Sequence, residues 1–109
     1  MSEYIEQVQF VCWFRRNYPE HKIFAIPNGG KRAKAEALRL KNEGVLAGVH
    51  DLFVPGLKLW IEMKETHKQK PSDKQIEWGE YVESVGYSWF VGYGFEDAKE
   101  KTLRFLAPE

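Results

Sequence analysis

Apolar and polar positions along this chain change period several times, and each change marks an element. Residues 3–17 place Ile5, Val8, Val11, Cys12 and Phe14 at helical spacing, and Asn17 with Pro19 marks the end. Lys22-Ile23-Phe24-Ala25-Ile26 reads as a short strand. Pro27-Asn28-Gly29-Gly30 follows as a loop whose glycines accept positive φ. Residues 31–43 are strong helix formers, and Gly44 suits the position just past a helix end. Asp51-Leu52-Phe53-Val54 and the run Lys58 to Lys64 read as two strands, with turn chemistry at Pro55-Gly56 between them. The second alternates, with Leu59, Ile61 and Met63 on one face and Lys58, Trp60, Glu62 and Lys64 on the other. Ser72 and Gln75 form a capping box that opens a helix. Ile76, Trp78, Tyr81, Val82 and Val85 supply its apolar side, and Gly86 ends it. Tyr87 to Val91 is a further strand, and residues 95–106 a last helix.

The order is helix, strand, helix, strand, strand, helix, strand, helix. It predicts an α/β fold, a mixed central β-sheet flanked by helices. With 109 residues, no repeat and no linker, the chain reads as a single domain over 1–109.

The two central strands bring chemistry together. A tight turn at Pro55-Gly56 sets Asp51 opposite Trp60, and opposed residues share a face. Asp51 then lies diagonal to Glu62, with backbones roughly 7–8 Å apart. An odd-residue slip would separate them. Two carboxylates so placed repel unless a cation sits between them. A hard cation such as Mg²⁺ takes oxygen ligands and keeps several waters. Asp51, Glu62 and the backbone carbonyl of Met63 offer such oxygens. An ion there would acidify a bound water and stabilise charge on a phosphoryl oxygen. Lys64 would hold that water and the scissile phosphate, so the expected chemistry is phosphodiester hydrolysis. A bare Glu-x-Lys is far more often an ordinary solvated strand; the spaced aspartate and the surrounding residues change that balance.

Net charge does not announce a nucleic-acid binder, since 16 basic residues face 16 acidic ones at a pI near 6.8. The distribution says more. Lys31, Arg32, Lys34, Arg39 and Lys41 form one basic stretch, and Lys64, Lys68, Lys70 and Lys74 with His67 form another. Both flank the Asp51–Lys64 region. Asn28, Gly29, Gly30, Lys31, Arg32 and Lys34 are the expected DNA-binding set, the glycines letting backbone N–H groups approach a phosphate. Binding of this kind weakens with salt, with a slope of roughly 0.9 per phosphate contacted. No apolar run approaches the roughly 18 residues of a membrane span. The acidic, polar start Met1–Glu6 lacks the marks of a signal peptide. The single Cys12 forms no internal disulfide; it reads as a small buried hydrophobe in a reducing cytoplasm.

Glu6-Gln7, Pro27-Asn28-Gly29-Gly30-Lys31-Arg32, Arg39-Leu40-Lys41 leading to Gly44-Val45, Gly48-Val49-His50-Asp51, Ile61-Glu62-Met63-Lys64, Ser72 with Gln75 and Trp78, and Gly86-Tyr87 follow one another in a telling order. In that order and spacing they resemble the VRR-NUC domain, a branch of the PD-(D/E)XK nuclease superfamily with a restriction-endonuclease-like core. The resemblance covers nearly the whole chain. It implies a Mg²⁺- or Mn²⁺-dependent DNA endonuclease of the stand-alone type, acting as a homodimer on branched DNA such as four-way (Holliday) junctions. It also implies metal binding by Asp51 and Glu62, and a water-positioning or activating role for Lys64. Glu6 would assist from the first helix, preferred over Glu3 nearly one turn earlier, although both also suit a helix N-terminus. Gln75 would orient groups at the site, besides its structural reading in the capping box. Trp78 reads as core. The family usually has proline before the aspartate, and this chain has His50. That histidine is expected to be a structural partner, with contact to phosphate or metal as the lesser reading. The rival to an enzyme is a catalytically inactive DNA-binding module of the same fold.

Overall fold

Alternation over residues 52–64 sorts the two faces of a sheet. Leu52, Val54, Leu59, Ile61 and Met63 are all fully buried on one side, and Phe53, Trp60, Glu62 and Lys64 turn to the other. The computed structural model describes residues 2–27 and 33–108. Its elements are α1 (Glu3–Asn17), β1 (Phe24–Ala25), α2 (Lys34–Asn42), β2 (Leu52–Val54), a 3₁₀ turn (Pro55–Leu57), β3 (Leu59–Lys64), α3 (Asp73–Ser84), β4 (Ser88–Tyr93) and α4 (Phe95–Leu106). The strands lie in the order β1-β2-β3-β4. β1/β2 and β2/β3 pair antiparallel, and β3/β4 pair parallel. A parallel pair needs a long crossover, which α3 supplies. The fold is thus α/β, a mixed sheet flanked by helices.

The aliphatic face packs against Phe10 and Phe14 of α1 and Ala98 of α4. Here the structure corrects the expected stripe of α1. Ile5, Val8 and Cys12 are exposed, and the inward face is Phe10 and Phe14 with Val11 and Trp13 partly buried. The helix is apolar on more than one side, and the larger aromatic area takes the core. Cys12 is therefore a free, exposed thiol.

The opposite face is aromatic. Phe53 stacks on Trp60 at 4.1 Å between centroids, and Trp60 meets Trp78 edge-on at 5.2 Å. The capping box of α3 forms as expected: Ser72 Oγ accepts from Gln75 N–H, and Gln75 Oε1 accepts from Ser72 N–H. The helix docks through Gly79 and Val82, while Ile76, Tyr81 and Val85 remain exposed. Gly79 explains this choice. A Cβ there would fall 2.2 Å from Cε2 of Trp89, so only a glycine lets the helix rest on the indole. Gly79→Ala is expected to destabilise the protein by about 1–3 kcal/mol. At roughly 4–8 °C per kcal/mol for a domain of this size, a calorimetric melt will register it.

Candidate active site

The connection between β2 and β3 is longer than a two-residue turn, and this decides where Asp51 stands. The 3₁₀ turn Pro55–Leu57 is followed by Lys58 in the left-handed region at φ 50°. The pairs are Leu52 with Ile61, Phe53 with Trp60 and Val54 with Leu59. The register is displaced by two residues from the expected one, which had Asp51 opposite Trp60. Continuing the ladder sets Asp51 directly across from Glu62. An even displacement preserves the face, so the expected grouping of Asp51, Glu62 and Lys64 stands.

Each side chain has identifiable support. The Asp51 carbonyl accepts from Ile26 N–H at 2.8 Å, and its Oδ2 accepts from Met63 N–H at 2.8 Å. Glu62 is 1% exposed and Met63 is fully buried. Lys64 Nζ lies 3.5 Å from Glu62 Oε2. Glu62 Oε1 is enclosed and accepts from no donor group of the protein, while the Glu62 carboxyl lies within hydrogen-bonding reach of the Asp51 carboxyl. Burial drives the Glu62 carboxyl from its ordinary 4.5 up to about 8, reinforced by Asp51 and opposed by Lys64. Asp51 is raised as well, chiefly by burial, while the Met63 N–H, the Glu62 carboxyl and Lys64 oppose the rise.

Glu3 and Glu6 diverge. Glu3 lines the cleft above Asp51, and its carboxyl is raised by burial first and by Asp51 second. Glu6 is used elsewhere. Its Oε1 accepts from the N–H of Phe95 at 2.7 Å, the first residue of α4. Gly94 caps that helix without a side chain, so a carboxylate from α1 takes the orphan donor. The choice between the two could not be read from one helical turn of spacing; it depends on how α1 rolls against the sheet.

Gln75 lines the cleft with its side-chain oxygen held in the capping box. Its backbone carbonyl accepts from His50 Nε2 at 2.8 Å. His50 is fully buried, and its ring packs tilted against Trp89, 4.9 Å between centroids and 35° between planes. Burial pushes its pKa down, against the opposing bond to Gln75, so the ring is neutral and Nε2 carries the hydrogen. Val49 and Asp51 on either side line the cleft, while His50 turns inward. Trp78 is half-buried and also lines the cleft.

The cleft measures about 1450 Å³ and opens between α2 and α3. Lys41, Lys64 and Lys74 reach it, along with apolar Leu40, Leu46 and Tyr81. Lys34 is exposed at the start of α2. Asn28, Gly29, Gly30, Lys31 and Arg32 lie outside the described residues. Lys41 and Lys74 belong to the two basic stretches but were not singled out from them by sequence.

Among the described residues, no three His, Cys, Asp or Glu side chains gather as a metal cage. The donor set instead fits a cation that keeps part of its water shell. An unpartnered, enclosed Glu62 oxygen beside a second carboxylate is what such an ion would satisfy.

No protein-family model matches the chain, and no curated protein matches it. A solved structure described as a VRR_NUC domain protein is similar in fold, with a TM-score of 0.79 and 22% identity. The likeness covers 97% of this chain and 88% of that one. Over almost its whole length, the chain has the fold of a VRR_NUC domain protein.

Proposed function

We propose that this chain is a divalent-metal-dependent DNA endonuclease of the VRR-NUC type, hydrolysing phosphodiester bonds at Asp51, Glu62 and Lys64. The observation that carries the reading is Glu62, a carboxylate 1% exposed, with one oxygen unpartnered and Asp51 beside it. Ionised, such a pair opposes folding unless a cation offsets the charge. Asp51 and Glu62 would hold Mg²⁺ or Mn²⁺, with the Met63 carbonyl as a third oxygen. The ion would supply charge neutralisation at the phosphoryl group and an acidified water. Lys64, with a side chain 14% exposed, keeps its ammonium at the cleft floor, where it can donate to a water or a phosphate oxygen. Gln75, its side-chain oxygen held by the Ser72 N–H, would orient groups at the site through the rest of its amide.

Glu3 takes the assisting role first given to Glu6. Its position over Asp51 supports this, as does the commitment of Glu6 to Phe95. Glu6→Ala is expected to cost about 1 kcal/mol, by loss of a helix cap, and to leave Mn²⁺ affinity unchanged. Glu3→Gln should keep the melting temperature and weaken Mn²⁺ binding. Calorimetry and Mn²⁺ titration of the two variants would show the reverse pattern if Glu6 were the residue at the metal.

DNA is the substrate class that suits a cleft with Lys41, Lys64 and Lys74 on its walls. Asn28 to Arg32 and Lys34 would extend those phosphate contacts. Branched DNA and a homodimer follow from the family resemblance and from symmetry, since a four-way junction offers two equivalent scissile positions. An exposed free thiol suits a cytoplasmic setting. The test is cleavage of labelled linear, flap and four-way DNA with Mg²⁺, Mn²⁺ or EDTA. Cutting with either ion, none in EDTA, and preference for the four-way substrate are expected. Cutting in EDTA would overturn metal dependence. Tight DNA binding with no cutting under any condition would leave the inactive binding module.

A further inference from the structure

The stretch from Gly44 to His50 belongs to neither helix nor strand, yet it delivers Asp51 to the site. A loop that carries a reacting group has to be fastened, because small displacements cost rate. Two contacts fasten this one to the same turn of α3. Gly48, at φ +92°, lies so close to Lys74 that a Cβ would fall 2.4 Å from its carbonyl oxygen. His50 donates Nε2–H to the carbonyl of Gln75, the next residue along. The ring is seated on Trp89, which also carries Gly79 of α3. His50 Nδ1 is enclosed without a partner. An apolar residue would avoid that cost, so the ring is explained by what Nε2 holds.

We propose that His50 is a positioning residue, whose bond to the Gln75 carbonyl locks the Gly44–His50 loop to the first turn of α3 and thereby holds Asp51 across from Glu62. The proposal rests on Asp51 being a metal ligand, and it adds the element that sets the ligand's place. It also gives the cleft wall and the carboxylate pair a shared anchor. A shift of the α3 N-terminus would move Asp51 with it.

Two substitutions separate the bond from the ring. His50→Phe keeps an aromatic ring on Trp89 and removes the donor. His50→Gln removes the ring and places an amide N–H where Nε2 was. Mn²⁺ affinity by calorimetry, kcat and KM on one DNA substrate, and melting temperature are measured at a single pH. His50→Phe should lower Mn²⁺ affinity about tenfold or more and lower kcat, with KM for DNA unchanged. His50→Gln should restore affinity and kcat close to wild type even if its melting temperature falls. Wild-type affinity in His50→Phe, or an equal loss in His50→Gln, overturns the proposal. Should His50→Phe fail to fold, His50→Asn replaces it, since its shorter amide stops short of Gln75 and should show the loss. Asp51→Asn is the reference: if it binds Mn²⁺ normally, the metal reading itself fails. If it loses Mn²⁺ while the His50 variants behave as wild type, only the positioning role fails.

Discussion

Lys64→Ala is expected to slow DNA cleavage by about 10²–10⁴-fold, with DNA binding weakened far less than cleavage. The reason lies in what its ammonium touches. It sits 3.5 Å from Glu62 Oε2 on a side chain 14% exposed, so it faces the carboxylate pair and the cleft rather than bulk water. Two losses follow from truncation. The donor that would hold the attacking water or the phosphate is gone. The positive charge that lowers both carboxyls is also gone, so Asp51 and Glu62 are driven further from the ionised state a metal requires. Part of the lost rate should therefore return at higher Mn²⁺ concentration and higher pH. Single-turnover cleavage across Mn²⁺ concentrations separates the two parts. Cleavage by Lys64→Ala at the wild-type rate would remove Lys64 from the mechanism.

Glu62→Gln should abolish metal-dependent cleavage and, without metal, make the protein more stable at pH 8. The sign follows from the proton count. Unfolded, the carboxyl titrates at its ordinary 4.5; folded, it holds its proton to about 8. Between those values the folded state binds more protons than the unfolded state. The Glu62 contribution to metal-free stability therefore falls as pH rises from about 5 to 8 and levels off above. The side chain is 2% exposed, so burial and the neighbouring Asp51 both act to hold the proton on the folded state. Glutamine has no proton to lose, so the variant should lack the Glu62 share of this fall and depend less steeply on pH over the window. Metal reverses the pattern. Its ligands must be deprotonated, so Mn²⁺ should raise the wild-type melting temperature more at pH 8 than in mildly acidic buffer and leave Glu62→Gln unmoved. A metal-free stability gap between Glu62→Gln and wild type that does not widen from pH 5 to 8 would contradict this account.

Much of this site was legible because strands and caps obey short-range rules. Glu62 and Lys64 share a face by alternation alone, and Ser72 with Gln75 starts α3 through two bonds spanning three residues. What depended on long-range packing was not legible. The rolling angle of α1 chose Phe10 and Phe14 over Ile5, Val8 and Cys12, and with that choice brought Glu3 rather than Glu6 to Asp51. The exposure of Tyr81 and Val85 follows from Gly79, whose use as a seat for Trp89 is visible only with both elements in place. His50 could be flagged as unusual before aspartate, but its partner lies 25 residues downstream on another element.

The connection over residues 55–58 carries no charged group that reaches the cleft, yet it has a consequence at the level of the gene. Its length sets which residues of β2 face the carboxylate of Glu62, and a strand repeats every two residues. Loss of a single in-frame codon here would turn Leu52 toward the cleft and Asp51 toward the aliphatic core. For the proposed reaction, such a deletion in an unremarkable turn is equivalent to deleting the aspartate itself.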